Sequence, residues 1–571
     1  MQLFSMISKY IPFVFVCLGS LSLQAQTVHD AAVPAIQKTI TCRNGAVVSA
    51  HTLASEAGLS VMKKGGNAVD AAITTQLALA VVYPGAGNIG GGGFMVARLK
   101  DGSSVCIDYR EMAPAAAGRD MYLDSAGNPQ MTLSQNGHLA SGVPGTIAGL
   151  FAALKYARLP IKDLIAPAIA LAEKGFAVSA SEARGLNAMR ETFLKYNTVR
   201  PVFVKETPWT AGDTLRQPDL ARTLTRIRDK GRAGFYEGET AQAIVAEMKR
   251  GHGLVTLEDL KAYQARERTP MLFPYKNYEI LTMPLPSSGG IIIEQALKMI
   301  ENRGIAAMGF ESAASVHLMV EAERRAYADR AAFMGDADFV KVPVKRLTSN
   351  AYAKERMADY DPEKAGSSKI IKEGNINPES EETTHLSIID KDGNAVSVTT
   401  TLNGGYGSKT VVGGAGFLLN NEMDDFSVKP GVPNMYGALG TEANAIAPHK
   451  RMLSSMTPAI VLKSGKPYIV LGTPGGTTIP TSVYQTIVDM LDFNLSTADA
   501  VYKPKFHHQW QPDEIYIEKG FPAAVATQLQ AMGYTITQRE QIGRMEVIKV
   551  LPNHSFEAVA DDRGNDAAAG Y

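Results

Sequence analysis

The chain's 571 residues carry 57 basic and 57 acidic side chains, so no net charge draws it to nucleic acid or to an acidic membrane. With 45% hydrophobic residues it can bury a large core, and length alone suggests about three or four domains of ordinary size. Three cysteines without a CxxC pair exclude a disulfide framework and a cysteine zinc site, leaving a small molecule as the expected partner.

Lys9 precedes an apolar run from Ile11 to Leu23, and Gln24-Ala25-Gln26 follows with a small residue before the expected cut after Ala25. This is the pattern of a secretory signal, shorter than the roughly 20 apolar residues a spanning helix needs. Residues 1–25 are therefore expected to be removed and the protein exported, to the periplasm or beyond. Val16 argues against a lipid anchor on Cys17, because that position wants a small residue. Cys42 and Cys106 remain in the mature chain, free to pair or to stay as buried thiols. No other apolar run is long enough to cross a bilayer.

The mature chain opens with an expected strand, Gly45 to Ala50, and a helix around Ala54 to Lys64 that Gly65-Gly66 ends. Asn67 reads as an N-cap with Asp70 in the first turn, starting an Ala-rich helix to about Tyr83 that Pro84 stops. Gly85 to Gly90 formally matches GxGxxG, but a dinucleotide fingerprint needs strand, glycines, then helix. Here the order is helix, glycines, then the strand Phe94 to Leu99, so the glycines are expected to let backbones pass closely. The strand Val105 to Tyr109 delivers Arg110 at its end. From Thr146 to about Gln264 apolar residues recur at helical spacing, with breaks at Pro160, Pro201 and Pro208. A strand near Tyr278 to Leu281, a helix through Glu301 and a longer helix from Ser312 to Phe333 follow. His317 on the last reads as a capped or solvated residue rather than a ligand.

The stretch from Thr383 to Asn403 reads as one β-hairpin. His385 to Asp390 is a β-rich run, Ala395 to Thr401 alternates polar and apolar residues, and Asp392-Gly393 between them suits a two-residue primed turn. That register sets Thr383 opposite Leu402, flanked by Thr401 and Asn403, which gathers two hydroxyls and a carboxamide at an open strand end. Just before it, Asp361 to Glu382 is polar and charged, and it reads as mobile and protease-accessible.

A tether running straight into a reactive-looking strand has a physical explanation if the chain is cut at Glu382–Thr383. Thr383 then gains a free α-amine. A threonine hydroxyl needs a base beside it, and an α-amine, titrating near pH 8 (about 7.7–8.0), is one. One residue would supply nucleophile and base. The chain holds no GxSxG elbow, HExxH helix or phosphate loop to suggest otherwise. The plain alternative is a strand start rich in threonine for its β-propensity.

Downstream, Glu422, Asp424 and Asp425 place three carboxylates within four residues. Their spacing does not suit calcium and suits a substrate ammonium better. Pro430 to Gly437 is a Pro/Gly-punctuated loop carrying Tyr436, suited to a lid. Ser454 and Ser455 offer two hydroxyls before a strand. Gly475 and Gly476 follow the strand Ile469 to Leu471 and could present backbone amides to a developing oxyanion. His507 and His508 would point to opposite faces of a strand, which favours a structural role over a metal.

TTHLSIIDKDGNAVSVTTTLN, LLNNEMDDFS, PGVPNMYG, RMLSSMTP and GTPGG, with GNIGGGGFM, DYREMAP and the ending AGY, resemble γ-glutamyltransferase (γ-glutamyltranspeptidase) over nearly the whole mature chain and in that family's order. The resemblance implies an α/β (α+β) fold, the four-layer αββα sandwich of the N-terminal-nucleophile hydrolases, without cofactor or metal. It implies a self-processing precursor: signal 1–25, large subunit 26–382 with a mobile end about 361–382, and small catalytic subunit 383–571, the two entwined as one composite unit.

Carried across by position, the family makes Thr383 the nucleophile on the γ-glutamyl amide of glutathione and related donors. Thr401 becomes the second threonine that hydrogen-bonds it, and Gly475 and Gly476 the oxyanion hole. Arg110, with Ser454 and Ser455, would hold the substrate α-carboxylate, where a guanidinium fork fits. Asn403, Glu422 and Asp425 would surround the α-ammonium, and Tyr436 would be the lid aromatic. Water, an amino acid or a dipeptide would release the γ-glutamyl ester. An amidase on the same fold acting on poly-γ-glutamate or another acyl group, and an exported binding protein that never matures, are the other readings.

Overall fold

The computed structural model describes residues 36–372, 384–429, 432, 435 and 441–571. The expected cut, Thr383, Tyr436 and the signal segment lie outside these residues. The described chain belongs to one compact unit, Val33–Tyr571, in place of the several domains that length suggests.

Two seven-stranded antiparallel sheets form the centre. The first runs Ala567–Gly570, Gly45–Ser49, Thr384–Asp390, Ala395–Thr401, Gly92–Arg98, Ser104–Asp108, Arg266–Arg268. The second runs Thr39–Cys42, Phe556–Ala560, Glu546–Val550, Lys466–Gly472, Ala459–Lys463, Tyr278–Thr282, Met271–Tyr275. The hairpin 384–401 thus sits near the middle of the first sheet, and its strands are buried at every position because both faces are covered.

Alternation along the hairpin explains the layering. Leu386, Ile388, Val396 and Val398 pack into the core shared with the helices Thr52–Lys63, Ala68–Val82 and Ile161–Lys174. The opposite face meets the second sheet: Ser397 donates to the Leu471 carbonyl at 3.1 Å, and Ser387 to the Glu546 carbonyl at 2.9 Å. Beyond the second sheet, Gly289–Ile300, Ala313–Phe333 and Thr478–Leu491 close a second core. The order is helix, sheet, sheet, helix, as expected from the resemblance.

Local chemistry follows the sequence in several places. Asn67 caps Ala68–Val82 in a full capping box with Asp70. The glycine run is a close-approach device: a Cβ at Gly90 would strike the Leu418 carbonyl, one at Gly91 the Thr401 carbonyl, and one at Gly92 the Glu111 carboxylate. Cys42 and Cys106 are both free and buried.

Three expectations need correction. The hairpin pairs Thr384 with Thr400 and Ile389 with Ala395, one residue away from the expected register. Asp390 N donates to the Asn394 carbonyl at 3.0 Å, Asn394 N donates to Asp390 Oδ1 at 3.0 Å, and within the loop only Gly393 has positive φ (+87°), so the loop takes three residues rather than two. His317 is fully buried rather than solvated, its ring nitrogens within 2.7 Å of Tyr534 Oη and 2.8 Å of the Asp361 carbonyl. The polar stretch after Asp361 is anchored as far as Lys372. Ser368 N donates to Asp513 at 2.8 Å, Trp510 Nε1 to the Ile371 carbonyl at 2.8 Å, and Arg356 to the Lys372 carbonyl at 3.0 Å.

Candidate active site

The hairpin's second strand ends at Thr401, opposite Gly92, and the chain then turns through Asn403 at φ +71°. This left-handed turn is fixed by polar contacts. Asn403 N donates to Thr401 Oγ1 at 2.7 Å, and Asn403 Nδ2 donates to the Asn421 carbonyl at 3.0 Å. Gly404 N donates to Asn421 Oδ1 at 2.9 Å. The threonine hydroxyl, the asparagine and the segment leading to Glu422 are therefore one rigid corner.

Arg110 follows the strand Ser104–Asp108, and its backbone N–H is held by Asp108 Oδ1 at 3.0 Å. Its side chain is 1% exposed and makes four hydrogen bonds. Nη1 bonds Glu422 and Nη2 bonds Asp425, while Nε reaches the Met452 carbonyl at 3.3 Å and Nη2 the Leu453 carbonyl at 3.1 Å. Glu111 lies 3.7 Å away. The two residues assigned to an ammonium site thus hold the arginine assigned to a carboxylate site.

Electrostatics make this cluster tense. Burial works against the charge of Arg110, but Glu422, then Asp425 and Glu111, outweigh it and raise its pKa. On the acids burial dominates: Glu111 is pushed up to about 7 against the pull of Arg110, Glu422 well above the carboxylate range, and Asp425 upward too. Burial beside a single guanidinium makes it costly to charge all three carboxyls at once. Asp424, the third acid of the run, turns away. It accepts from Ser134 and from Met435 N, the latter at 3.0 Å, and burial raises it to about 7.

The carbonyls that hold Arg110 immediately precede Ser454 and Ser455. Ser454 Oγ accepts from Met456 N at 3.2 Å, and its backbone is zipped to Pro286 and Ser288. Ser455 Oγ accepts from Arg330 Nη2 at 3.1 Å, and Arg330 Nε donates to Ser288 Oγ at 2.8 Å. Three residues earlier on the same helix, Tyr327 Oη donates to the Thr477 carbonyl. Positions 327 and 330 share a helix face, so this helix ties the serine pair to the turn beside Gly476.

Gly475 and Gly476 form that turn, with φ of +132° and +55°, conformations L side chains rarely adopt. The Gly475 carbonyl accepts from Thr478 N at 3.2 Å, and Gly476's from Ile479 N at 3.0 Å, opening the helix Thr478–Leu491. A cavity of about 520 Å³ borders Gly475 and Thr478 together with Gly405 and Tyr406, just past Asn403. Arg110, Glu422, Asp425, Ser454 and Ser455 lie outside its lining. Tyr327, Arg330, Ser288 and Glu111 escaped the sequence reading. Glu321 to Arg330 is dense in charge, which suggests a solvated face, yet the helix is buried from Ser315 to Ala331.

His507 and His508 sit in fully buried hydrogen-bonded positions. His507 Nδ1 is 2.8 Å from Thr481 Oγ1, and His508 Nδ1 accepts from Trp510 N at 3.0 Å. Among the described residues no group of three or more His, Cys, Asp or Glu side chains is arranged to hold a metal. No helix among them is long and apolar enough to cross a membrane.

A central pair of antiparallel sheets between helical layers is the architecture of the N-terminal-nucleophile hydrolase class. The fold is close to that of a cephalosporin acylase from Bacillus halodurans, with a TM-score of 0.83 at 26% identity over 94% of this chain and 98% of that one. The glutathione hydrolase proenzyme of Escherichia coli (strain K12) is 47% identical over 537 residues, 93% of each chain. A gamma-glutamyltranspeptidase structure from Helicobacter pylori matches at 46% identity and a TM-score of 0.56, covering 57% of this chain and 94% of its own. The sequence pattern of the family described as Gamma-glutamyltranspeptidase matches residues 54–571. This chain belongs to the gamma-glutamyltranspeptidase family.

Proposed function

We propose that the chain is an exported, self-processing γ-glutamyltransferase and glutathione hydrolase, cut at Glu382–Thr383 into subunits 26–382 and 383–571. The observation that carries this reading is the corner at Thr401 and Asn403, which Asn421 ties to the segment of the Glu422–Arg110 pair, with Gly405 just beyond it lining one cavity with Gly475. The hairpin register pairs Thr384 with Thr400, the residue before Thr401.

In this reading the α-amine of Thr383 takes the proton of its own hydroxyl, and the oxygen attacks the γ-carbonyl carbon of a γ-glutamyl amide. The backbone N–H groups of Gly475 and Gly476 hold the oxyanion. The amine leaves with the proton, and a γ-glutamyl ester remains on Thr383. Water, or the amine of an amino acid or dipeptide, then resolves the ester. Glu422 and Asp425, with Asn403, accept from the α-ammonium, while Arg110, Ser454 and Ser455 receive the α-carboxylate. Tyr436 is assigned the role of lid aromatic. The Escherichia coli relative is itself a proenzyme that hydrolyses glutathione, which supports both the cut and the donor.

Intact mass under denaturing conditions tests the reading. Two fragments are expected, the smaller beginning at Thr383. A single uncut chain after prolonged incubation would overturn it.

A further inference from the structure

The cavity beside Gly475 carries chemistry that the γ-glutamyl site does not use. Four charged side chains line it: Arg539, Arg544, Arg563 and Glu182. Three of them are already engaged. Arg544 donates to Tyr83 Oη at 2.9 Å and lies 3.6 Å from Asp566. Arg563 pairs with Glu518 at 2.7 Å and Asp561 at 3.0 Å. Glu182 faces His51 at 3.3 Å.

Arg539 differs. Its guanidinium carbon stands 4.1 Å over the centre of the Tyr516 ring, a stacking that fixes the plane of the fork. No carboxylate among the described residues lies within ion-pair distance of it. The cavity thus holds an oriented and always charged fork without an anion, and its volume falls in the range of small-ligand sites. Its rim includes Gly475, where the scissile carbonyl oxygen is held in the function proposed above.

Resting on that function, we propose that this cavity takes the part of the substrate beyond the scissile amide, a short peptide whose terminal carboxylate is received by Arg539. The same place serves the departing dipeptide of the donor and the incoming dipeptide acceptor, since both carry their amine to the same carbonyl carbon. A bidentate guanidinium–carboxylate contact is the geometry this fork supplies.

The test compares two donors on the full-length processed enzyme. Glutathione carries a carboxylate on its leaving half, and γ-glutamyl p-nitroanilide carries none. Arg539→Gln is expected to raise KM about tenfold for glutathione, the scale of one charge-assisted contact, with the anilide constants within about twofold. Arg539→Lys is expected to fall between. In transfer, glycylglycine is expected to lose its advantage over glycinamide in the Gln variant. Equal changes for both donors, or no change for either, would overturn the proposal while leaving the γ-glutamyl reading intact. A wild-type enzyme that hydrolyses neither donor would overturn the functional reading and this proposal with it.

Discussion

The imidazole of His385 occupies the space that a side chain at position 472 would need. A Cβ on Gly472 would collide with the ring, and only a glycine at that point of the second sheet lets the two sheets close over the hairpin. The ring is held by Thr399 Oγ1 at 2.9 Å and Ser387 Oγ at 3.1 Å and cannot swing aside without breaking both contacts. Gly472→Ala is therefore expected to destabilise the protein by about 2 kcal/mol, the usual scale of overpacking. Thermal unfolding measures it. The double variant His385→Ser/Gly472→Ala should recover part of the loss, and a fall in Tm as large as in the single variant would show that the ring is not the obstacle.

Burial also sets the proton chemistry of His385, pushing its pKa down to about 3. Between pH 6.5 and 3 the unfolded chain binds a proton at this position that the folded chain refuses, so stability is fully present above 6.5 and lost as pH falls towards 3. At pH 5 the loss is about 2 kcal/mol for this one site. In His385→Gln the site no longer titrates. The penalty of that substitution, measured by denaturant unfolding, is expected to shrink by about 2 kcal/mol from pH 7 to pH 5. A penalty constant over that range would mean that the ring is protonated inside the fold.

Much of this was legible in the sequence, and the failures have physical causes. Asn67, Gly90 to Gly93 and the two hairpin strands announce themselves because caps, close approaches and alternation are local. The register missed by one residue because Asp-Gly suits both a two-residue loop and a three-residue loop, and the choice lies in the bond between Asp390 and Asn394. The polar stretch to Lys372 reads as mobile because its anchors, Trp510 and Asp513, come from about 140 residues further on. Arg330 and Tyr327 were invisible because a helix studded with charges looks solvated until its partners are known. The pairing of Arg110 with Glu422 and Asp425 is likewise tertiary. The sequence names all three residues but not their contact.

That contact makes Arg110→Lys informative. Lysine keeps the charge that Glu422 and Asp425 need but loses the fork, and with it one of two simultaneous directions. The KM for γ-glutamyl donors is expected to rise by about one to two orders of magnitude, the equivalent of one charge-assisted hydrogen bond at ~1.5–3 kcal/mol. Processing into subunits should persist, because the residues at the cut are untouched. An unchanged KM would remove Arg110 from the substrate site and leave it a purely internal counter-ion.

Thr383→Ala separates the nucleophile from the fold. The described hairpin begins at Thr384, already paired with Thr400, and its core contacts lie at Leu386, Ile388 and beyond. Loss of one hydroxyl and one methyl at position 383 therefore leaves the packing that stabilises the sheets. The variant is expected to be folded, with a Tm near that of the wild-type precursor, to remain a single chain of full mass, and to have no measurable γ-glutamyl hydrolysis. Thr383→Ser, which keeps a hydroxyl, should mature more slowly and retain partial activity. Two subunits appearing in the alanine variant would mean that another group cuts the chain. Thr383 would then be an ordinary strand residue, and the assignments of Thr401, Gly475 and Gly476 would fall with it.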